Sequence, residues 1–189
     1  SPAHLTTLNG KVKRSYMGTM NFKVVEEKYV RPVNIVAVEE YVQGVLPGEL
    51  WGSFHLHTMR AQAIAARTFV THWLGKRTID DTTSFQRYVG YSTEYHDFIK
   101  AAYETKGKVL TYNGKTIEAV YSASNGGHSE TNVGAWPGGN SVNLPYFPAK
   151  VDPYDAKTLD SETIFKTQVS LTGLDVNNPG AWWNNIEKN

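Results

Sequence analysis

The chain has 189 residues, 40% hydrophobic and 20% charged, which is long and apolar enough for one large domain with a sizeable core and argues against intrinsic disorder. With 19 basic against 18 acidic side chains the formal net charge is +1, so no global field exists to hold a polyanion and no nucleic-acid partner is expected. The absence of cysteine excludes disulfides, thiolate nucleophiles and thiolate zinc sites.

Residues 1–11 carry no apolar run of signal-peptide type, and no run reaches the length needed to cross a bilayer, so no membrane span is expected in this chain. Positions 11–36 alternate loosely, with Val12, Tyr16, Met20, Phe22, Val24, Val30 and Val33 set among charges, which predicts a meander of short strands. Residues 39–43 predict a brief helix closed by Gly44. Ser53 then caps a longer helix whose apolar positions Leu56, Met59, Ala63, Ala66, Val70 and Trp73 follow three-four spacing, with Gly75 past its end. Its other side carries Ala61, Ile64, Ala65 and Phe69, so it is apolar nearly all round and predicted to be central.

A polar loop over 80–92 leads to a third helix, capped by Ser92 or Thr93 and bearing Tyr95, Phe98, Ile99 and Ala102 on one face, with Gly107 beyond it. Asn113-Gly114 between 109–112 and 115–122 predicts a type I′ hairpin, because both residues tolerate positive φ. The Asn125-Gly126-Gly127 loop follows, and from Trp136 to Pro153 the composition is that of loop. Residues 164–171 are a candidate strand, and Trp182-Trp183 lie near the end. Together these predict a mixed α+β domain, with short antiparallel strands and hairpins around a central buried helix.

Several blocks occur in one order: Tyr16-Met17-Gly18-Thr19-Met20, Pro47-Gly48-Glu49-Leu50-Trp51, Ala61-Gln62-Ala63-Ile64-Ala65-Ala66-Arg67-Thr68, Thr83-Ser84-Phe85-Gln86-Arg87-Tyr88 and Ser122-Ala123-Ser124-Asn125-Gly126-Gly127-His128-Ser129-Glu130. In this the chain resembles the SpoIID/LytB family, the stage II sporulation protein D group, from Tyr16 to about residue 155. The resemblance implies a single domain over 1–189 that stops short of the family's usual end. It implies a lytic transglycosylase of peptidoglycan glycan strands, preferring strands stripped of peptide, with long loops forming a glycan groove and the catalytic glutamate at Glu49. It also implies an extracellular or cell-wall location, and the amidase-enhancer branch of the family implies a cell-wall amidase as partner. Two features depart from the pattern. Leu50-Trp51 stands where Met-Pro is usual, and the cysteines with which some members hold zinc near His128 are absent, so no metal and no cofactor is expected.

The residues admit that chemistry. Breaking a glycosidic bond needs a carboxyl acid for the leaving oxygen, and a sugar hydroxyl that attacks its own anomeric carbon lets one Glu serve as acid and then base. Among Leu46, Pro47, Gly48, Leu50 and Trp51, burial would keep Glu49 protonated. Read without the resemblance, Glu49 is first of all a first-turn helix carboxylate held by the dipole. Gln62 and Arg67 interrupt an apolar helix and require partners, either in a scaffold or at the groove. Thr82, Thr83, Ser84, Gln86 and Tyr88 supply polar groups for a polyol, or else a capped loop. Ser124, Asn125, Gly126, Gly127, His128 and Glu130 form a second polar block, whose glycines serve close approach of a sugar or only a tight turn. Glu130 is a candidate second carboxylate with Asp81 behind it, and Trp136 and Tyr146 are candidate stacking platforms or packing residues.

Overall fold

The alternating stretch 11–36 supplies three of the strands and the segment before it a fourth, and these pair as two antiparallel ribbons rather than one continuous meander. Strand β1 (Ala3–Thr6) pairs with β2 (Lys13–Tyr16), and β3 (Thr19–Val25) pairs with β4 (Tyr29–Ile35). The computed structural model describes residues 2–6, 13–50, 54–123, 125, 127–136, 138 and 142–152. The chain divides into two compact units, Ser1–Val120 and Tyr121–Asn189.

In the β3–β4 ribbon Phe22 stands opposite Pro32 and Val24 opposite Val30, two residues apart and therefore on one face. That face is open to solvent, with Phe22, Val24 and Val30 all more than half exposed. Glu26 and Glu27 at the tip both have φ of 53°, a strained choice for residues that are not glycine.

Helix α1 (Val38–Glu49) overruns the end expected at Gly44 and carries Gly44, Pro47 and Gly48 within it. All three disfavour a helix interior. Two observations explain its persistence. Tyr41, Val42, Val45 and Leu46 are buried on its inner side, and the glycines give room for the segment 86–90 to lie directly on the helix backbone. A Cβ on Gly44 would stand 2.4 Å from the Tyr88 ring and 2.5 Å from the Gly90 carbonyl oxygen; one on Gly48 would stand 2.0 Å from the Arg87 carbonyl oxygen. The Val89 N–H donates to the Gly44 carbonyl at 3.0 Å across this contact.

Helix α2 (Leu56–Trp73) is central, as its all-round apolar character predicts. Met59 and Ala63 of α2 join Val42 and Leu46 of α1 and Ala101 and Ala102 of α3 (His96–Glu104) in one buried cluster, with Val38, Leu50, Leu56 and Phe98 packed around it. The cap is His55, whose ring accepts the His57 N–H; the predicted cap, Ser53, lies outside the described residues. Helix α3 (His96–Glu104) begins later than predicted. Ser92 Oγ accepts the Glu94 N–H in the turn before it, leaving Tyr95 at the N-cap without a side-chain bond. The hairpin β5 (Thr111–Tyr112) and β6 (Lys115–Thr116) turns at Asn113 and Gly114 with φ of 49° and 75°, the type I′ geometry read from the sequence.

The described part of the second unit is loop apart from the short helix α4 (Asn132–Ala135), which the sequence did not signal. Thr131 caps it, its hydroxyl accepting the Gly134 N–H. The candidate strand 164–171 and Trp182-Trp183 lie outside the described residues. Among the described residues no helix is long and apolar enough to cross a membrane.

Candidate functional site

Glu49 is the last residue of α1, half-buried, at the end of the helix where the dipole is negative. The alternative role as a first-turn carboxylate therefore does not apply, since a carboxylate at this end gains nothing from the dipole. What holds it is the chain lying across the helix. The Arg87 backbone N–H donates to Glu49 Oε1 at 2.6 Å, while Oε2 has no hydrogen-bond partner among the described residues. One oxygen is fixed and the other is open. The fixing depends on Gly48, because only a residue without Cβ lets Arg87 come this close to α1.

The same crossing segment uses its alternate residues as internal braces. Gln86 is 1% exposed; its Oε1 accepts the Tyr41 hydroxyl at 3.2 Å and its Nε2 donates to the Ala66 carbonyl at 3.3 Å, so it ties α1 to α2 from inside. Tyr88 is also buried, and its hydroxyl donates to Asn34 Oδ1 at 2.9 Å. Burial, with smaller contributions from Tyr16 and Glu40, pushes the Tyr88 phenol well above the usual tyrosine range. For both residues the placement differs from a sugar-facing one, because their polar atoms point into the unit. Arg87, between them, points out.

Arg67 is 1% exposed and wholly committed within the first unit. It grips Glu39 through Nε and Nη2 at 2.9–3.2 Å and donates to the carbonyls of Ala63, Ala102 and Lys108 and to Thr105 Oγ1. Of the scaffold and groove roles open to it, the geometry is that of a scaffold joining α1, α2, α3 and the turn after α3. Glu39 completes the arrangement by accepting the Gly107 N–H. Sequence reasoning missed Glu39, although a buried arginine demands a carboxylate and the Glu39-Glu40 pair was the available signal. Gln62 does not find the partner expected of it: its Nε2 is buried and has no hydrogen-bond partner among the described residues.

Thr83 and Ser84 are exposed in the turn before the crossing segment. Thr82 organises that turn, its N–H and hydroxyl both donating to Asp80 Oδ1 and its hydroxyl accepting the Ser84 N–H. The hydrogen bonds from Thr82 hold the Asp80 carboxyl below the usual carboxylate range. Asp81 pairs with Arg14 at 3.1 Å.

In the second unit Ser124 and Gly126 lie outside the described residues. Asn125 accepts the Gly127 N–H at 2.8 Å and donates to Asp152 Oδ2 at 3.0 Å, while the Asp152 N–H donates to the Gly127 carbonyl. His128 is exposed, and its strand-like bridge to Val151 brings the 127–129 segment beside 150–152. Trp136 is exposed just after α4, and Tyr146 is half-buried against Phe147. Among the described residues no group of three or more His, Asp or Glu side chains is arranged to hold a metal ion.

Glu130 is exposed and accepts the N–H of Thr131 at 2.6 Å and its hydroxyl at 3.0 Å. These bonds, the backbone one first, hold its carboxyl below the usual glutamate range, with His128 assisting. The folded state thus binds this proton more weakly than the unfolded chain. The resulting stabilisation is present above the ordinary glutamate value and is lost as pH falls through the folded-state midpoint. A carbon-detected NMR titration is expected to place the Glu130 midpoint below that of a free glutamate, and Thr131→Val, which keeps the N–H, to move it only part of the way back.

Residues 26–112 match the sequence profile of the SpoIID family, described as Stage II sporulation protein. An amidase enhancer of Bacillus subtilis (strain 168) is 41% identical over 184 residues, covering 97% of this chain and 25% of that protein. Stage II sporulation protein D of the same organism is 30% identical over 146 residues, covering 67% of this chain and 41% of that protein. The corresponding protein of Bacillus amyloliquefaciens is 31% identical over 146 residues, with the same coverage. The chain thus spans between 25% and 41% of the length of these relatives.

Proposed function

Since the chain belongs to the SpoIID family through the domain in residues 26–112, we propose that it is a peptidoglycan lytic transglycosylase acting on glycan strands stripped of peptide, with Glu49 as its catalytic residue. The observation that carries this reading is the state of the Glu49 carboxyl group: Oε1 held by the Arg87 N–H and Oε2 open. A group that must give up a proton and later take one back needs a fixed position and one free oxygen.

In this reading the Glu49 carboxyl protonates the glycosidic oxygen as its bond to the anomeric carbon breaks, and positive charge develops on the ring it leaves. A hydroxyl of that same sugar attacks the anomeric carbon, and the Glu49 carboxylate takes the hydroxyl proton. An anhydro ring closes, no water is consumed, and Glu49 ends protonated as it began. Exposed Thr83 and Ser84 are proposed to contact substrate in the first unit, and exposed Asn125, His128, Glu130 and Trp136 are proposed, separately, as glycan contacts of the second unit alone. Such a substrate places the protein outside the cell or at its wall.

One observation favours a second reading. The relative that aligns over 97% of this chain is named an amidase enhancer, and a glycan-binding module that assists a cell-wall amidase would need no catalysis of its own. Incubation with peptide-free glycan strands, beside a Glu49→Gln control, separates the two. Fragments ending in anhydro sugars, reduced about 10²–10⁴-fold in the variant, are the expected result. Fragments one water heavier would instead mean hydrolysis. Strands bound but uncut by both proteins would replace the enzyme reading with the module.

A further inference from the structure

Resting on the transglycosylase reading, we infer that Arg87 is the residue by which this site recognises strands stripped of peptide, through an ion pair with the carboxylate that stripping exposes on the muramic sugar. Stripping an amide-linked peptide stem from the lactyl ether of that sugar leaves a free carboxylate; with the stem in place the same carbonyl is a neutral amide. Stripped and peptide-bearing strands therefore differ in charge within the very ring whose bond is cut. A site that reads the difference needs a cation close to the catalytic acid.

Arg87 meets that need through its backbone. Its N–H is 2.6 Å from Glu49 Oε1, and its carbonyl rests against Gly48, so its Cα is fixed beside the catalytic carboxyl from two sides. Its buried neighbours Gln86 and Tyr88 face inward, which obliges Arg87 to project outward. The side chain is exposed, and its guanidinium makes no ion pair or hydrogen bond among the described residues. This contrasts with Arg14, Arg60 and Arg67, each paired with a carboxylate. A planar fork of donors matches a carboxylate in two parallel hydrogen bonds, which a lysine cannot reproduce. Arg87 is thus poised to select substrate at the point where Glu49 would act on it.

The test uses stripped strands and the same strands with their lactyl carboxylates converted to methylamides. Wild-type protein is expected to favour the carboxylate form, and Arg87→Gln, which keeps the backbone N–H, to shrink that preference by about 10- to 100-fold, chiefly through KM. Arg87→Lys is expected to retain part of it. Equal losses on both substrates, or a preference that survives in Arg87→Gln, would overturn the inference. The dissociation constants of both strand types, measured in a Glu49→Gln background, read the same preference without cleavage. Loss of all cleavage in wild type would therefore sink the enzyme reading, while a charge preference that tracks Arg87 would still uphold this one.

Discussion

Arg67→Ala is expected to lower the free energy of unfolding by about 3–5 kcal/mol, measured by urea unfolding followed by circular dichroism. The loss has a specific origin. The guanidinium is 1% exposed and is bonded to Glu39, to three carbonyls and to Thr105, so its removal strands a partly buried carboxylate and several backbone acceptors at once. Arg67→Lys keeps the charge but not the fork, and should recover only part of the loss. Replacing both partners with apolar residues, as in Arg67→Met with Glu39→Leu, is expected to cost less than Arg67→Ala alone, because no unpaired charge remains. A loss below about 1 kcal/mol for Arg67→Ala, the range of an exposed pair, would contradict the scaffold role.

The second large effect is expected from a single methyl group. In Gly48→Ala the new Cβ would stand 2.0 Å from the Arg87 carbonyl oxygen, a backbone atom with no rotamer in which to escape. Either α1 or the crossing segment must shift, at an overpacking cost of about 1–3 kcal/mol. The same shift pulls the Arg87 N–H from Glu49, so glycan cleavage should fall further than the loss of stability accounts for at a temperature where the variant remains folded. Thermal unfolding and cleavage measured on one preparation check this. Full cleavage by a destabilised Gly48→Ala protein would show that the Arg87 hydrogen bond is dispensable to Glu49.

How far these features were legible depends on the range of the interactions behind them. Asn113-Gly114 announced its hairpin because the turn is decided by the φ angles of two adjacent residues. Helix α2 was legible because its apolar spacing runs its whole length. The full length of helix α1 was not legible because Gly44, Pro47 and Gly48 are breakers by local rules, and what overrides them is a segment some forty residues away. At the site, motif resemblance pointed to Glu49, but burial divided the polar residues around it. Gln86 and Tyr88 looked as suitable for a sugar as Thr83 and Ser84 until their environments separated inward from outward. Arg87 carried no local signal, since one arginine in a polar loop resembles any other.

The β3–β4 ribbon has a practical consequence for anyone concentrating this protein. A pair of strands with no third partner among the described residues offers hydrogen-bonding edges on both sides, and here it also carries Phe22, Val24 and Val30 on an open face. Pro32 withholds a donor from β4, and Lys23 opposite Arg31 places like charges on the reverse face, both of which oppose stacking of copies. Those guards leave the β3 edge unblocked. Turbidity at high concentration or high salt is therefore expected to start there, and Val24→Lys should raise the solubility limit while leaving the helical core untouched.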